Sequence, residues 1–342
     1  MDQPLRIIEG AYFRDILDQP RALEQTLSKL QSSPSLEAIE RHLVEGWYKR
    51  VVLTGMGSSY HALHPLHLRL VEAGIPAIMV DSSELLHYQR RVLEERTLFV
   101  LVSQSGKSAE IVRLLEATRG RLETLGVTNT PDSPLAQDTA SVVLTDAGES
   151  CLATQVALAW LGTVLVGDSL DRARSDLAGT VALVEAYLAS WRAHVDELAP
   201  LLDGVRAVYY VGRGPSLAAV GSAGLITKEA THLPSEGMGS AAFRHGPLEM
   251  LNDKVFVLAF AGEERTRALN ESLVSDIRSA GARAHLAAEA ADVSALSLPR
   301  VRDLARPVVE LLPVEMVTLA LAALAGREAG TFGIGGKVTT TE

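Results

Sequence analysis

Residues 101–111 read LVSQSGKSAEI. The apolar run closing on Val102 predicts the end of a strand, and AEIVRLL after Ser108 predicts the start of a helix. Ser103, Gln104, Ser105, Gly106, Lys107 and Ser108 crowd the corner between them. A helix start carries unpaired N–H groups and a partial positive charge. Small residues let an anion approach that backbone and hydroxyls add donors, so the corner suits phosphate. The loop GMGSS offers Ser58 and Ser59 in the same way. Serines also favour caps and turns for their own sake, so the corner by itself leaves a binding loop and a built turn both open.

A duplication favours the binding loop. RVVLTGMGSSYHAL lies over AVYYVGRGPSLAAV, which places Gly55 on Gly212, Gly57 on Gly214 and Ser59 on Ser216. LFVLVSQSGK lies over VFVLAFAGEE, so the second copy keeps the strand and loses the serines. Its Glu263 and Glu264 would repel phosphate, which places the anion site in the first copy. Two other phosphate motifs fail on spacing. A P-loop needs glycine where Leu101 stands, and a dinucleotide fingerprint needs a third glycine where Tyr60 and Leu217 stand. Asp81 ends the next strand as a ribose-binding acid would, but two glycines are a weak match.

The second copy supplies candidates for proton transfer in LITKEATHLPSEGMGSAAFRHGPL, residues 225–248. Pro215 suits the first turn of a helix that Pro234 stops, which puts Glu229 in its last turn. A carboxylate there meets the negative end of the helix dipole, a poor place for a purely structural charge and a suitable one for a general base. The alternative is an ion pair with Lys228 or Arg244. His245 sits before Gly246 and Pro247, so a turn would hold its imidazole as a proton carrier. Lys337 follows the glycines of GIGGK, and such a lysine, folded over a carbonyl, could form a Schiff base. His61, His64 and His67 lack a completing ligand and read as surface or interface histidines rather than a metal site.

The elements that must position these groups alternate. The first copy has strands at 51–55, 77–81, 98–103, within 122–129, and at 141–145, separated by helical patterns. That is the signature of βαβ units and a parallel sheet, whose ligands sit at the carboxyl ends of strands. The expected organisation is a helical arm over 1–45, a phosphate-binding domain over 46–170 and a helical connector over 171–200. A second domain with the acid–base residues follows over 201–330, and a tail over 331–342 closes on the site. With 342 residues, 47% apolar and 22% charged, the chain is long enough for two cores. A net charge of −10 without a basic run argues against a nucleic-acid partner. One cysteine, Cys151, allows no disulfide within the chain and fits a reducing, cytoplasmic setting. MDQPLRIIEG lacks a signal-peptide pattern, and runs such as VALAWLGTVLVG read as buried helices, so no membrane is expected.

Taken together, the two sheets, the SQSG corner, KE at a helix end, RHGP and the terminal KVT resemble the sugar isomerase (SIS) domain family. The resemblance runs from about residue 10 to the end of the chain. It is nearest to the isomerase half of the glutamine–fructose-6-phosphate aminotransferases (glucosamine-6-phosphate synthases) and to SIS-type glucosamine-6-phosphate deaminases. It implies an α/β fold of two tandem flavodoxin-like SIS domains. It also implies a sugar phosphate held by Ser59, Ser103, Gln104, Ser105 and Ser108, with backbone near Leu152 and Ala153 lining the sugar. Glu229 would move a proton between C1 and C2, His245 would open the ring from the partner subunit of a homodimer, and Lys337 would meet the carbonyl, with no metal and no cofactor. The synthase pattern is broken at Ile226, where a lysine is usual, and at Ala242, where a glutamate is usual. Asp2 leaves no N-terminal cysteine for glutamine hydrolysis. The implied activity is an aldose–ketose isomerase or aminosugar-phosphate deaminase; the alternatives are a fructosamine-6-phosphate deglycase and a phosphosugar-binding protein without catalysis.

Overall fold

The computed structural model describes residues 5–146 and 151–334. Contacts divide them into two compact units: Arg21–Ala178 form the first, and positions up to Pro20 join Gly179–Gly333 in the second.

In the first unit, β1 (Arg50–Gly55), β2 (Ala77–Asp81), β3 (Thr97–Val102), β4 (Glu123–Thr128) and β5 (Ser141–Leu144) pair in the order β2-β1-β3-β4-β5, all parallel. The central strands RVVLTG and TLFVLV are buried almost throughout, as they must be in a parallel sheet covered on both faces. The edge strands leave Ile78 and Val142 exposed. On one face Val52, Phe99 and Leu101 pack with Leu85 and Leu135 and with Ile111, Leu114 and Leu115 of the helix that follows β3. Four helices position the site: α1 (Gly57–His61), α2 (His64–Glu72), α3 (Ala109–Thr118) and α4 (Cys151–Leu165). Helix α4 is apolar nearly all round because it is enclosed by α1, α2, the helix Pro34–Val44 and the strands β4 and β5.

The second unit repeats the plan with β6 (Ala207–Gly212), β7 (Ser235–Gly239), β8 (Val255–Phe260) and β9 (Arg283–Ala287), parallel in the order β7-β6-β8-β9. Where the first sheet has β5, this one has a single parallel bridge between Ala288 and Ser297. Its main helices are α5 (Leu217–Thr231), α6 (Glu264–Ser279) and α7 (Leu311–Leu324). Helix α5 lies so close to β7 that a Cβ on Gly237 would fall 1.9 Å from the Val220 carbonyl oxygen, and one on Gly224 would fall 2.4 Å from the Gly237 nitrogen. Only glycine permits that approach. The segment Asp303–Leu324 is long and apolar enough to cross a bilayer, a run the sequence reading passed over, but 89% of its apolar window is buried inside the fold. It is a core helix here. Both sheets are α/β, parallel and flanked by helices, as the alternating pattern predicts.

Candidate functional site

Strands β1 and β3 are neighbours, with Gly55 opposite Val102, so the loops that leave their carboxyl ends start side by side. From there one chain turns towards β2 and the other towards β4. This is the switch point at which such sheets bind ligands. Six residues, Ser103–Ser108, fill the interval between β3 and α3. Their geometry shows which side chains build the loop and which face it. Ser103 is buried, and its Oγ accepts from the Gly106 N–H at 3.1 Å. The Ser105 Oγ accepts from the Lys107 N–H at 3.2 Å. The carbonyl of Gln104 turns inward to accept from Thr128 Oγ1 at 3.0 Å and from the Asn129 N–H at 3.0 Å. Gly106 adopts φ +63, and a Cβ there would lie 2.2 Å from Ser133 Oγ. These contacts are turn construction.

Ser108 behaves differently. It occupies the N-cap position of α3 yet makes no cap bond. Its Oγ instead lies 3.4 Å from Ser103 Oγ. The N–H groups of the first turn of a ten-residue helix therefore keep their unpaired donors beside two hydroxyls. Lys107 is exposed at the same corner and forms no ion pair among the described residues. Ser58 and Ser59 are half-buried in α1, reached directly from β1. Leu152 and Ala153 stand at the start of α4 with fully buried side chains, so only their backbone could touch a sugar, as the resemblance implies. The first unit thus gathers the predicted serines at one sheet edge and offers N–H, O–H and one ammonium group to an anion.

In the second unit Glu229 is half-buried in the last turn of α5, where the sequence places it. Arg244, a candidate ion partner for it, instead meets Asp276 at 2.6 Å. His245 is exposed in the turn beyond β7. Helix α5 leads into the amino end of β7, and His245 follows its carboxyl end. Within the unit the two candidates are therefore separated by the length of a five-residue strand, roughly 15 Å. One chain's second unit does not bring them together.

Lys337 lies outside the described residues. The chain that leads to it is held against the end of α5. Arg327 Nη1 donates to the Thr231 carbonyl at 3.2 Å and its Nη2 lies 3.1 Å from His232 Nε2. His232 Nε2 is also 3.0 Å from the Thr331 carbonyl, and the Gly330 N–H donates to the Ala230 carbonyl at 3.2 Å. Sequence reasoning missed Arg327 and His232. The one local signal was a non-glycine residue between the helix and Leu233–Pro234; His232 ends α5 in the left-handed region, at φ +57.

The three histidines of HALHPLH are half-buried rather than superficial. Burial, together with His61 and His67 nearby, lowers His64 to about 4 and keeps it neutral near pH 7. Among the described residues no group of three or more His, Cys, Asp or Glu side chains could hold a metal ion.

A parallel α/β sheet with a serine-lined loop at its switch point defines a class of small-ligand-binding domain. Residues 48–164 match the model of the SIS domain. It is 25% identical over 339 residues to a glutamine–fructose-6-phosphate aminotransferase (isomerizing) of Pyrococcus horikoshii, covering 93% of this chain and 55% of that one. It is 28% identical to the corresponding protein of Symbiobacterium thermophilum, covering 95% and 59%. The chain thus spans a little over half the length of these relatives. Among solved structures, the C-terminal domain of glucosamine-fructose-6-phosphate aminotransferase from Francisella tularensis superposes with a TM-score of 0.78 at 20% identity, covering 94% of this chain and 98% of that one. Glucosamine-6-phosphate deaminase from Thermotoga maritima superposes with a TM-score of 0.73 at 17% identity, covering 93% and 96%.

Proposed function

We propose that the chain is a phosphosugar isomerase of the SIS type acting on amino-sugar phosphates, most simply converting glucosamine 6-phosphate and water to fructose 6-phosphate and ammonia. The observation that carries this reading is the Ser103–Ser108 loop at the β1/β3 switch point, whose cap serine leaves the helix start uncapped. The similarity to an isomerising aminotransferase and the fold of a glucosamine-6-phosphate deaminase support it.

In this reading the phosphate is anchored by Ser58, Ser59, Ser103, Ser105, Ser108 and Gln104. Binding energy from that remote group positions the reacting end of the sugar. His245 assists ring opening, with a second copy of the chain as its donor, since its own Glu229 lies beyond the far end of β7. Glu229 removes the proton from C2 and returns it to C1, which converts the open 2-amino aldose into a C2 ketimine. Water adds to that carbon, the C–N bond breaks, and ammonia leaves with the ketose. Lys337 meets the carbonyl end. The working form is a homodimer in the cytoplasm, and no metal or redox cofactor is required by these proton transfers.

The test is ammonia release and fructose 6-phosphate formation by purified chain given glucosamine 6-phosphate. Glu229→Gln is expected to lower kcat by at least about 100-fold, the usual contribution of a general base, with phosphosugar affinity retained. Equal rates would remove Glu229 from the mechanism. Turnover of fructosamine 6-phosphates with release of a free amine would replace the deaminase reading by a deglycase. Binding without any product would replace both by a sensor.

A further inference from the structure

The second copy of the fold keeps the glycine turn of the first. Gly57 and Gly214 follow β1 and β6 with φ +52 and +58, and Ser59 corresponds to Ser216. Yet only three residues, Ala261–Glu263, separate β8 from α6, where six separate β3 from α3. The hydroxyl-rich loop is therefore absent as a structure and not merely as a sequence. Something else occupies the face of Ser216. Its Oγ donates to Glu310 Oε1 at 2.8 Å, and both residues are fully buried. Arg306, one helical turn before Glu310, adds its positive charge. Its Nη2 meets Asp303 at 2.8 Å while its buried Nε has no partner. Glu310 Oε2 is likewise buried without a partner. Glu263, beside Gly214, opposes a second negative charge here and pairs with Arg265 at 2.6 Å.

A hydroxyl, a guanidinium and the start of a helix are the groups that hold a phosphate. Here the hydroxyl at the start of α5 meets a carboxylate of the chain itself, and the guanidinium acts on that carboxylate through its charge. We infer that Glu310 is a built-in anion: it occupies in the second copy the place proposed for the substrate's phosphate in the first, so each chain offers a single phosphosugar site. The comparison with the first copy rests on the function proposed above, whereas the Ser216–Glu310 contact does not. Burial raises the Glu310 carboxyl to about 7 against the opposing pulls of Ser216 and Arg306, which is the cost of keeping an anion there without solvent.

The experiment is calorimetric titration of the full chain with fructose 6-phosphate and, separately, with inorganic phosphate. Wild type is expected to bind one fructose 6-phosphate per chain. Glu310→Ala is expected to gain a second anion site about tenfold weaker, because Glu263 remains and the serine loop is missing. Adding Ser216→Ala to that variant is expected to abolish the gain. A wild type that binds no phosphosugar would end the functional proposal, yet a phosphate site created by Glu310→Ala and lost with Ser216 would still uphold this inference. Two sites in the wild type, or no gain in folded Glu310→Ala, would overturn it. Should Glu310→Ala fail to fold, amide resonances of the wild type decide. Saturable phosphate shifts confined to Ser103–Ser108 uphold the inference, and saturable shifts at Ser216 refute it.

Discussion

Replacing Gly106 by alanine separates the construction of the serine loop from its chemistry. The residue sits at φ +63, where a side chain costs about 1 kcal/mol or somewhat more. The new Cβ would lie 2.2 Å from Ser133 Oγ, 2.6 Å from Ser133 Cβ and 3.0 Å from Thr128 Oγ1, so Ser133 must move. Ser133 is fully buried, donates to the Thr130 carbonyl at 2.7 Å and caps the helix Pro134–Asp138 by accepting from the Ala136 N–H at 3.3 Å. Losing the cap and disturbing a buried hydrogen bond adds about 1–2 kcal/mol, for a total of about 2–4 kcal/mol. Gly120→Ala is the control. Its φ is +68 with nothing within 4 Å of the added atom, so it should lose only the backbone part, about 1 kcal/mol. Urea unfolding followed by tryptophan fluorescence measures both, with calorimetric titration of fructose 6-phosphate alongside. Gly106→Ala should be the less stable of the two and should lose phosphosugar binding, while Gly120→Ala should bind normally. If the two variants prove equally stable and bind equally well, the Gly106 turn neither packs on Ser133 nor shapes a ligand loop.

Ser108→Ala should leave stability within about 0.5 kcal/mol, because its hydroxyl caps nothing, while phosphosugar affinity falls about tenfold or more for a lost bond to a charged group. Titration of the folded variant checks this. Arg327→Ala removes the bonds to Thr231 and His232, so the Gly330 amide, which donates to the Ala230 carbonyl, should exchange its hydrogen faster; mass-resolved hydrogen exchange of the 325–334 peptide reports it. Glu315 is fully buried, and burial raises its carboxyl to about 8 although Gln19 donates to it. The folded state therefore favours the protonated form. The associated stability is complete below the ordinary carboxylate range and is lost as pH rises towards 8. Glu315→Gln should flatten that loss, a difference of about 1–4 kcal/mol between pH 5 and 8 seen as a growing gap in Tm; a gap independent of pH would show that the carboxyl does not titrate this way.

The sheets were legible because the strands of a parallel sheet carry unbroken apolar runs. VVLTG, LFVLVS and VFVLAF announce themselves, and each lies within a residue or two of its observed bounds. The serine corner was legible because a strand end, a glycine and a helix start follow one another without a gap. What escaped is whatever depends on distant partners. Nothing near Arg327 reveals that its guanidinium meets the end of a helix nearly a hundred residues earlier. Nothing local tells that Glu310 lies fully buried on Ser216, because an acid next to VV and LL reads as a helix start or a surface interruption. The apolar run within Asp303–Leu324 was not singled out either, since charges lie at one end of it, and the second core encloses it. Spacing located Glu229 and His245 on the right elements, but only the direction of β7 shows that they face opposite ends of it.

The second unit therefore carries two fully buried carboxylates five residues apart, and they answer different requirements. Glu315 bonds to Gln19, nearly three hundred residues away in sequence, and so fixes the N-terminal segment on α7. A buried polar pair of this kind gains little over an apolar one in free energy, but it discriminates against any packing that leaves either partner unmatched. Glu310 faces the sheet's carboxyl edge instead, where the first unit keeps hydroxyls and N–H groups open. A domain duplicated with its anion loop intact would hold two competing phosphate sites. Shortening the loop removes donors, but the turn after β6 and the start of α5 would still attract an anion, because their N–H groups come from the backbone and cannot be mutated away. A carboxylate placed against Ser216 answers that residual attraction from within the chain.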